Sequence, residues 1–149
     1  NLFSAMDVAG SGLAAQRARL QVATENLANK ETTQTAEGGP YRAKRVVLRT
    51  QSEGPGQGLS FDQAMQEAQG GPRTDYVQVE DVVRNEGDPR MVYDPSHPHA
   101  DEDGYVAYPD IDTATQMTDL MSASRNYQAN TMAVSAARDM ALDALRIGQ

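Results

Sequence analysis

"ATENLANKETT", residues 23–33, decides how this chain is read. An apolar helical stripe runs into it and then stops among amides, charges and threonines. Met6, Leu13, Leu20 and Leu27 recur every seven residues, and Ala9, Gln16 and Ala23 follow the first three at a spacing of three. That is an a/d pattern with one polar intrusion, Gln16, and it predicts a helix over about residues 2–29. At ~1.5 Å per residue such a helix is roughly 40 Å long. Ser4 with Asp7 reads as its N-terminal cap and Asn29 as its C-terminal one. A question remains. The helix closes on Asn26 and Asn29 around Leu27, with no evident partner nearby for either amide.

Outward from that stretch, composition sets limits. A chain of 149 residues is a prior for one domain, and only 5% of it is aromatic, too little to supply a bulky core. Alanine and methionine provide much of the apolar content, which suits close helix packing. The net charge of −8 argues against a sequence-independent grip on nucleic acid and against docking on an acidic membrane face. No cysteine is present, so disulfides, thiolate catalysis and cysteine metal sites are excluded. The N-terminus shows no basic segment followed by an apolar run, so no cleavable secretory signal is expected. No stretch approaches the roughly 20 apolar residues that span a bilayer.

About residues 30–110 hold the chain's punctuation, with GGP at 38–40, EGPGQG at 53–58 and GGP at 70–72. Between these lie strand-like runs at 41–50, 75–84, 90–94 and 104–108, rich in Val and Tyr. "LSFDQAMQEAQ", 59–69, reads as a short helix or a mobile insert. From about 112 to 147 a long helix is expected, with Thr113 and Gln116 as a capping signature and Gly148 beyond its end. Leu120, Ala123, Tyr127, Val134, Ala137, Ala141 and Ala144 trace one face of it. Met121, Met132, Ala136, Met140 and Ile147 trace a second, and two apolar stripes call for more than one neighbour.

The expected class is therefore α+β: long N- and C-terminal helices packing as a coiled-coil-like pair, with a small central β-rich module. Residues 1–30 and 112–149 form the helical assembly part, and 31–111 the β-rich part. Packed only on each other, the terminal helices would leave the second stripe wet, so assembly through both ends follows. Gly10 and Gly12 each cost on the order of 1 kcal/mol in a helix interior. They mark a close approach of a neighbouring backbone, a helix that begins only after Gly12, or a hinge.

"ATENLANKETT" resembles the N-terminal signature of the bacterial flagellar rod and hook proteins, and "MSASRNYQAN", 121–130, resembles their C-terminal one. "GGPYRAKRVV" at 38–47 and "VYDPSHPHADEDGYVAYPDID" at 92–112 are similar to the proximal-rod branch of that family. Residues about 51–72 match nothing expected there and read as an insertion. "PDID", 109–112, departs from the family's usual amides and adds negative charge at the start of the last helix, where the dipole favours it.

The resemblance implies a structural, non-enzymatic subunit of the basal-body rod, exported through the flagellar type III apparatus. It implies partners among the other rod proteins, the export-gate adaptor and further copies of the same chain in a helical tube. No cofactor, nucleic acid or direct lipid contact is implied. The assembly candidates on the first helix are Met6, Ala9, Gly10, Leu13, Leu20, Asn26, Leu27 and Asn29. Those on the last are Leu120, Met121, Arg125, Tyr127, Gln128, Asn130, Met132, Val134 and Met140. Asn26 and Asn29 are expected either to cap the helix end or to offer amides to a neighbouring subunit, where buried amides fix register. For Asn126, Gln128 and Asn130 a solvated helix face is the plainer reading, and for Tyr127 a place in the core.

One competing chemistry exists. His97 and His99 lie in "DPSHPHADEDG" with Asp94, Asp101, Glu102 and Asp103, a set able to ligate a divalent ion in a secreted, weakly hydrolytic module. Flanking prolines restrict that geometry, and the plainer reading is an acidic solvent loop.

Overall fold

The computed structural model describes residues 2–52 and 75–147. The expected segment at 59–69 and most of the expected insertion lie outside them. Helix α1 spans Leu2–Ala28 and α2 spans Thr113–Ile147. Between them come β1 (Lys44–Ser52), β2 (Asp75–Arg84), β3 (Arg90–Tyr93) and β4 (Tyr105–Tyr108). The class is α+β, as the periodicities indicate.

β1 and β2 form one antiparallel ladder, from Lys44 opposite Arg84 to Ser52 opposite Asp75, with a bulge between Val47 and Leu48. β3 and β4 form a second, from Arg90 opposite Tyr108 to Tyr93 opposite Tyr105. Val92 and Val106 pair on the inward side, and Val106 is fully enclosed. The loop between these short strands closes at Gly104, whose φ of 83° and tight fit against Tyr93 and Pro95 leave no room for a side chain. Two-stranded ribbons are marginal alone, and β1–β2 gains its support by lying across α1.

The helices run antiparallel. Gly12 meets Asn130, Arg19 pairs with Asp119 at 3.5 Å, and Asn26 meets Gln116. The enclosed apolar residues along the pair are Ala15, Val22, Ala23, Ala123 and Ala137, so small side chains set a close approach of the axes. Gln16 Oε1 is enclosed there with no hydrogen-bond partner among the described residues.

The deepest line of α1 coincides with the heptad stripe only at Ala23. Met6, Ala9, Leu13, Leu20 and Leu27 are half-buried, while Ala15, Val22, Ala23 and Asn26 are enclosed. The reason is geometric: α1 has two neighbours rather than one. The Val77 N–H donates to Ser11 Oγ at 3.2 Å and Glu25 pairs with Lys44 on the hairpin side, whereas Gly12 and Arg19 face α2. The line of deepest burial falls where hairpin and α2 meet.

Both expected N-caps also move. Ser4 lies inside the first turn of α1, which begins at Leu2. For α2 the cap is Asp112: its carboxylate accepts the N–H groups of Ala114 and Thr115, at 3.3 and 3.2 Å, and the Thr115 hydroxyl. Thr113 is the first helical residue and Gln116 reaches elsewhere.

Candidate functional site

The opening amides resolve differently from one another. Asn26, 1% exposed, is the largest polar side chain enclosed in the protein's described part. Its Nδ2 donates to the Lys44 carbonyl and to Gln116 Oε1, both at 2.9 Å. Its Oδ1 accepts the Lys44 N–H at 2.8 Å and the Tyr41 hydroxyl at 3.1 Å. Two donors and two acceptor positions are thereby all used. Because it exchanges hydrogen bonds with both backbone groups of Lys44, the side chain stands beside the start of β1 as one more peptide unit would. One amide therefore joins the end of α1, the entry to β1 and the first turn of α2.

The surroundings reinforce the joint. The Lys44 ammonium pairs with the Glu25 carboxylate one residue before Asn26. Burial first, and then the charge of Glu25, push the Tyr41 phenol up to about 12. It therefore stays a hydrogen-bond donor at any physiological pH. Nearby, Arg84 at the end of β2 forks onto Glu37, and this hydrogen bond holds the Glu37 carboxyl below its ordinary value.

Asn26 thus has no atom left for a neighbour and caps no helix carbonyl, which corrects both readings offered for it. Asn29 does cap: its Nδ2 donates to the Glu25 carbonyl at 2.9 Å and its Oδ1 accepts the Thr32 hydroxyl at 3.2 Å. Gly12 makes a close approach, though to a side chain of its own molecule, since a Cβ there would lie 2.7 Å from Asn130 Nδ2. Gly10 is exposed and meets nothing within 4 Å.

On α2 the two expected stripes differ in environment. Leu120, Tyr127, Asn130 and Val134 are half-buried on the side towards α1. Met121, Met132 and Met140 are exposed by 57%, 67% and 61%, and Arg125 and Gln128 are exposed with them. Met117, Leu142 and Leu145 add to the uncovered apolar surface and were not among the expected residues. At 100° per residue, Met117, Met121 and Met132 fall on the side of α2 turned away from the α1 seam.

Lys44 and Tyr41 complete the joint without having been singled out in the sequence, and Gln116 was read there only as a capping residue. The signal that could have found them was Asn26 itself, a hydrogen-bonding side chain on a face destined for burial.

Nothing supports the metal alternative. His97 Nδ1 accepts the His99 N–H at 3.1 Å, and His99 Nδ1 lies 2.8 Å from the Thr33 hydroxyl. Asp94 holds Ser96, and Asp101 accepts the N–H groups of Asp103 and Tyr105. These acids shape turns. Among the described residues no three His, Asp or Glu side chains converge, and no helix is long and apolar enough to cross a membrane.

Comparison with known proteins places this architecture. Residues 6–33 match the family model "Flagella basal body rod protein", and residues 102–147 match "Flagellar basal body rod FlgEFG protein C-terminal". The class is that of flagellar rod subunits, recognised through both terminal helices. The chain is 40% identical over 148 residues to the flagellar basal-body rod protein FlgC of Salmonella typhimurium, covering 99% of this chain and 98% of that one. It is 37% identical over 153 residues to the FlgC of Bacillus subtilis, and 34% identical over 153 to that of Borreliella burgdorferi, with the same coverage in each case. The chain belongs to the FlgC family. It is a structural subunit of the bacterial flagellar basal-body rod.

Proposed function

We propose that this rod subunit polymerises through its terminal helices, with residues 1–30 and 112–149 as the assembly part and 31–111 carried outside it. The uncovered methionine face of α2 carries this reading. A monomer rarely leaves several large methionines of one helix in water unless something covers them. Met121, Met132 and Met140 supply adaptable contact surface. The half-buried flank of α1, Leu13, Leu20 and Leu27, contributes the second edge.

Neighbours in this scheme are the other rod proteins, the export-gate adaptor and further copies of the chain in a helical tube. Passage through the flagellar export apparatus delivers it to the rod. Asn26 then has a mechanical purpose: it fixes the β-rich part to the helix pair at one angle, so that load applied to one is felt by the other.

Because Met121 and Met132 lie in water in the monomer, Met121→Asp with Met132→Asp should leave folding intact. A host lacking its own subunit of this family should then fail to build rods and to swim. Normal swimming with this pair of substitutions would sink the reading.

A further inference from the structure

A groove of about 450 Å³ runs between the second half of α1, the edge of β1 and the first turns of α2. It is lined by the apolar Val22, Ala23, Val46 and Leu48 and by the polar Arg19, Lys44, Arg45, Gln116 and Asp119. Arg19 and Lys44 are already paired within the chain, with Asp119 and Glu25. Arg45 is exposed and forms no ion pair among the described residues. The groove therefore offers apolar surface beside one uncompensated cation, Arg45, in a chain whose net charge is −8.

A surface of matching character exists on the same molecule. Met132, Ala136, Asp139, Met140 and Asp143 fall on one face of α2 at 100° per residue, and all five are exposed. Two methionines thus stand beside two carboxylates. Among the described residues Asp143 pairs with Arg146, at a loose 3.6 Å with both side chains largely in solvent, and such a pair is easily exchanged.

Groove and face sit roughly 25 Å apart along the helix pair, by the ~1.5 Å rise per residue. They cannot meet within one chain. We propose that the groove receives the Met132–Asp143 face of a second copy, Arg45 closing on Asp139 or Asp143 and the methionines seating over Val22, Val46 and Leu48. The contact is heterologous, since each copy offers a groove at one level and a face at another, and such contacts build rings or helical filaments rather than two-fold dimers. The inference rests on assembly through α2 and specifies one of its contacts.

The chain contains no cysteine, so introduced thiols report without background. Leu48→Cys and Met140→Cys, combined in one chain and expressed in a host lacking its own copy, should yield disulfide-linked oligomers in basal bodies after mild oxidation. The yield should exceed that from either single variant at least tenfold. Motile cells whose basal bodies contain the protein but show no such linkage would overturn the groove contact and leave assembly through α2 standing. Should the double variant build no rods, the charge pair decides. Arg45→Asp should reduce swimming, and adding Asp139→Arg and Asp143→Arg should restore it. Absence of restoration overturns the proposal.

Discussion

The side-chain amide of Asn26 hydrogen-bonds both the N–H and the carbonyl of Lys44, at 2.8 and 2.9 Å, and so docks the end of α1 onto the first residue of β1. The same nitrogen reaches Gln116 across the chain, so three elements share one side chain. Removing it should cost more than an ordinary surface bond, because partners in an enclosed site lose their water as well. Asn26→Ala should lower stability by about 2–3 kcal/mol in a urea melt, given about 1–3 kcal/mol for each polar group stranded away from solvent. Asn26→Asp should cost more at neutral pH. A carboxylate has no proton for the Lys44 carbonyl or for Gln116, and its own charge is enclosed. Part of that loss should return on mild acidification as the acid regains a donor. Equal melts for wild type and both variants would remove the joint from the account.

Gly10 and Gly12 test packing against propensity. Both lie inside α1, where alanine is favoured over glycine by up to about 1 kcal/mol. Gly10→Ala meets open space and should gain about that amount. Gly12→Ala drives a methyl group to 2.7 Å from Asn130 Nδ2, so the amide must swing aside and the gain should vanish. In Gly12→Ala combined with Asn130→Ala the gain should reappear beyond the sum of the single effects. Additive single effects would show that Asn130 does not press on this site.

How much of this was legible in the sequence depended on the range of each interaction. The strands at 44–52, 75–84, 90–93 and 105–108 were readable because Val- and Tyr-rich runs sit between glycine and proline breaks, both local signals. α1 and α2 were readable from long apolar periods. The heptad reading of α1 found Ala23 but not the rest of the deepest line, because a period reveals that a helix has a buried side but not that two neighbours meet obliquely over Ala15 and Val22. The α2 cap was misplaced by one residue, since Asp112 and Thr113 are both able caps and only backbone geometry separates them. Asn26 was noticed and its purpose was not, for its partners lie 18 and 90 residues away.

Asp112 gives α2 an acid-sensitive start. The Thr115 hydroxyl, then the N–H groups of Thr115 and Ala114, hold its carboxyl below the ordinary 3.8. A folded value below the unfolded one means that the stabilisation is complete above 3.8 and disappears as pH falls through the lower, folded value. Asp112→Asn caps nearly as well but does not titrate. Circular dichroism of urea-perturbed protein between pH 5 and pH 2 should show a steeper acid loss of helix in wild type than in the variant. Superimposable profiles would assign the acid response to other carboxylates.

Tyr41 gives the joint the opposite dependence. Its phenol rises from the ordinary 10.0 to about 12, so the group favours the folded state fully below 10 and loses that contribution as pH rises through 12. Ionisation would set a phenolate against Asn26 Oδ1 and the Glu25 carboxylate, turning a donated hydrogen bond into repulsion. An ultraviolet titration should therefore show one of the six tyrosines ionising late, and Tyr41→Phe should abolish that late step. Glu25→Gln should move the step down without removing it, because burial rather than charge is the larger cause. Tyr41→Phe should also weaken the alkaline fall in stability between pH 10 and 12, while costing about 1 kcal/mol at neutral pH for the lost bond. If the late step survives in Tyr41→Phe, the enclosed phenol is another residue, and the hydroxyl cannot be closing the Asn26 amide as described.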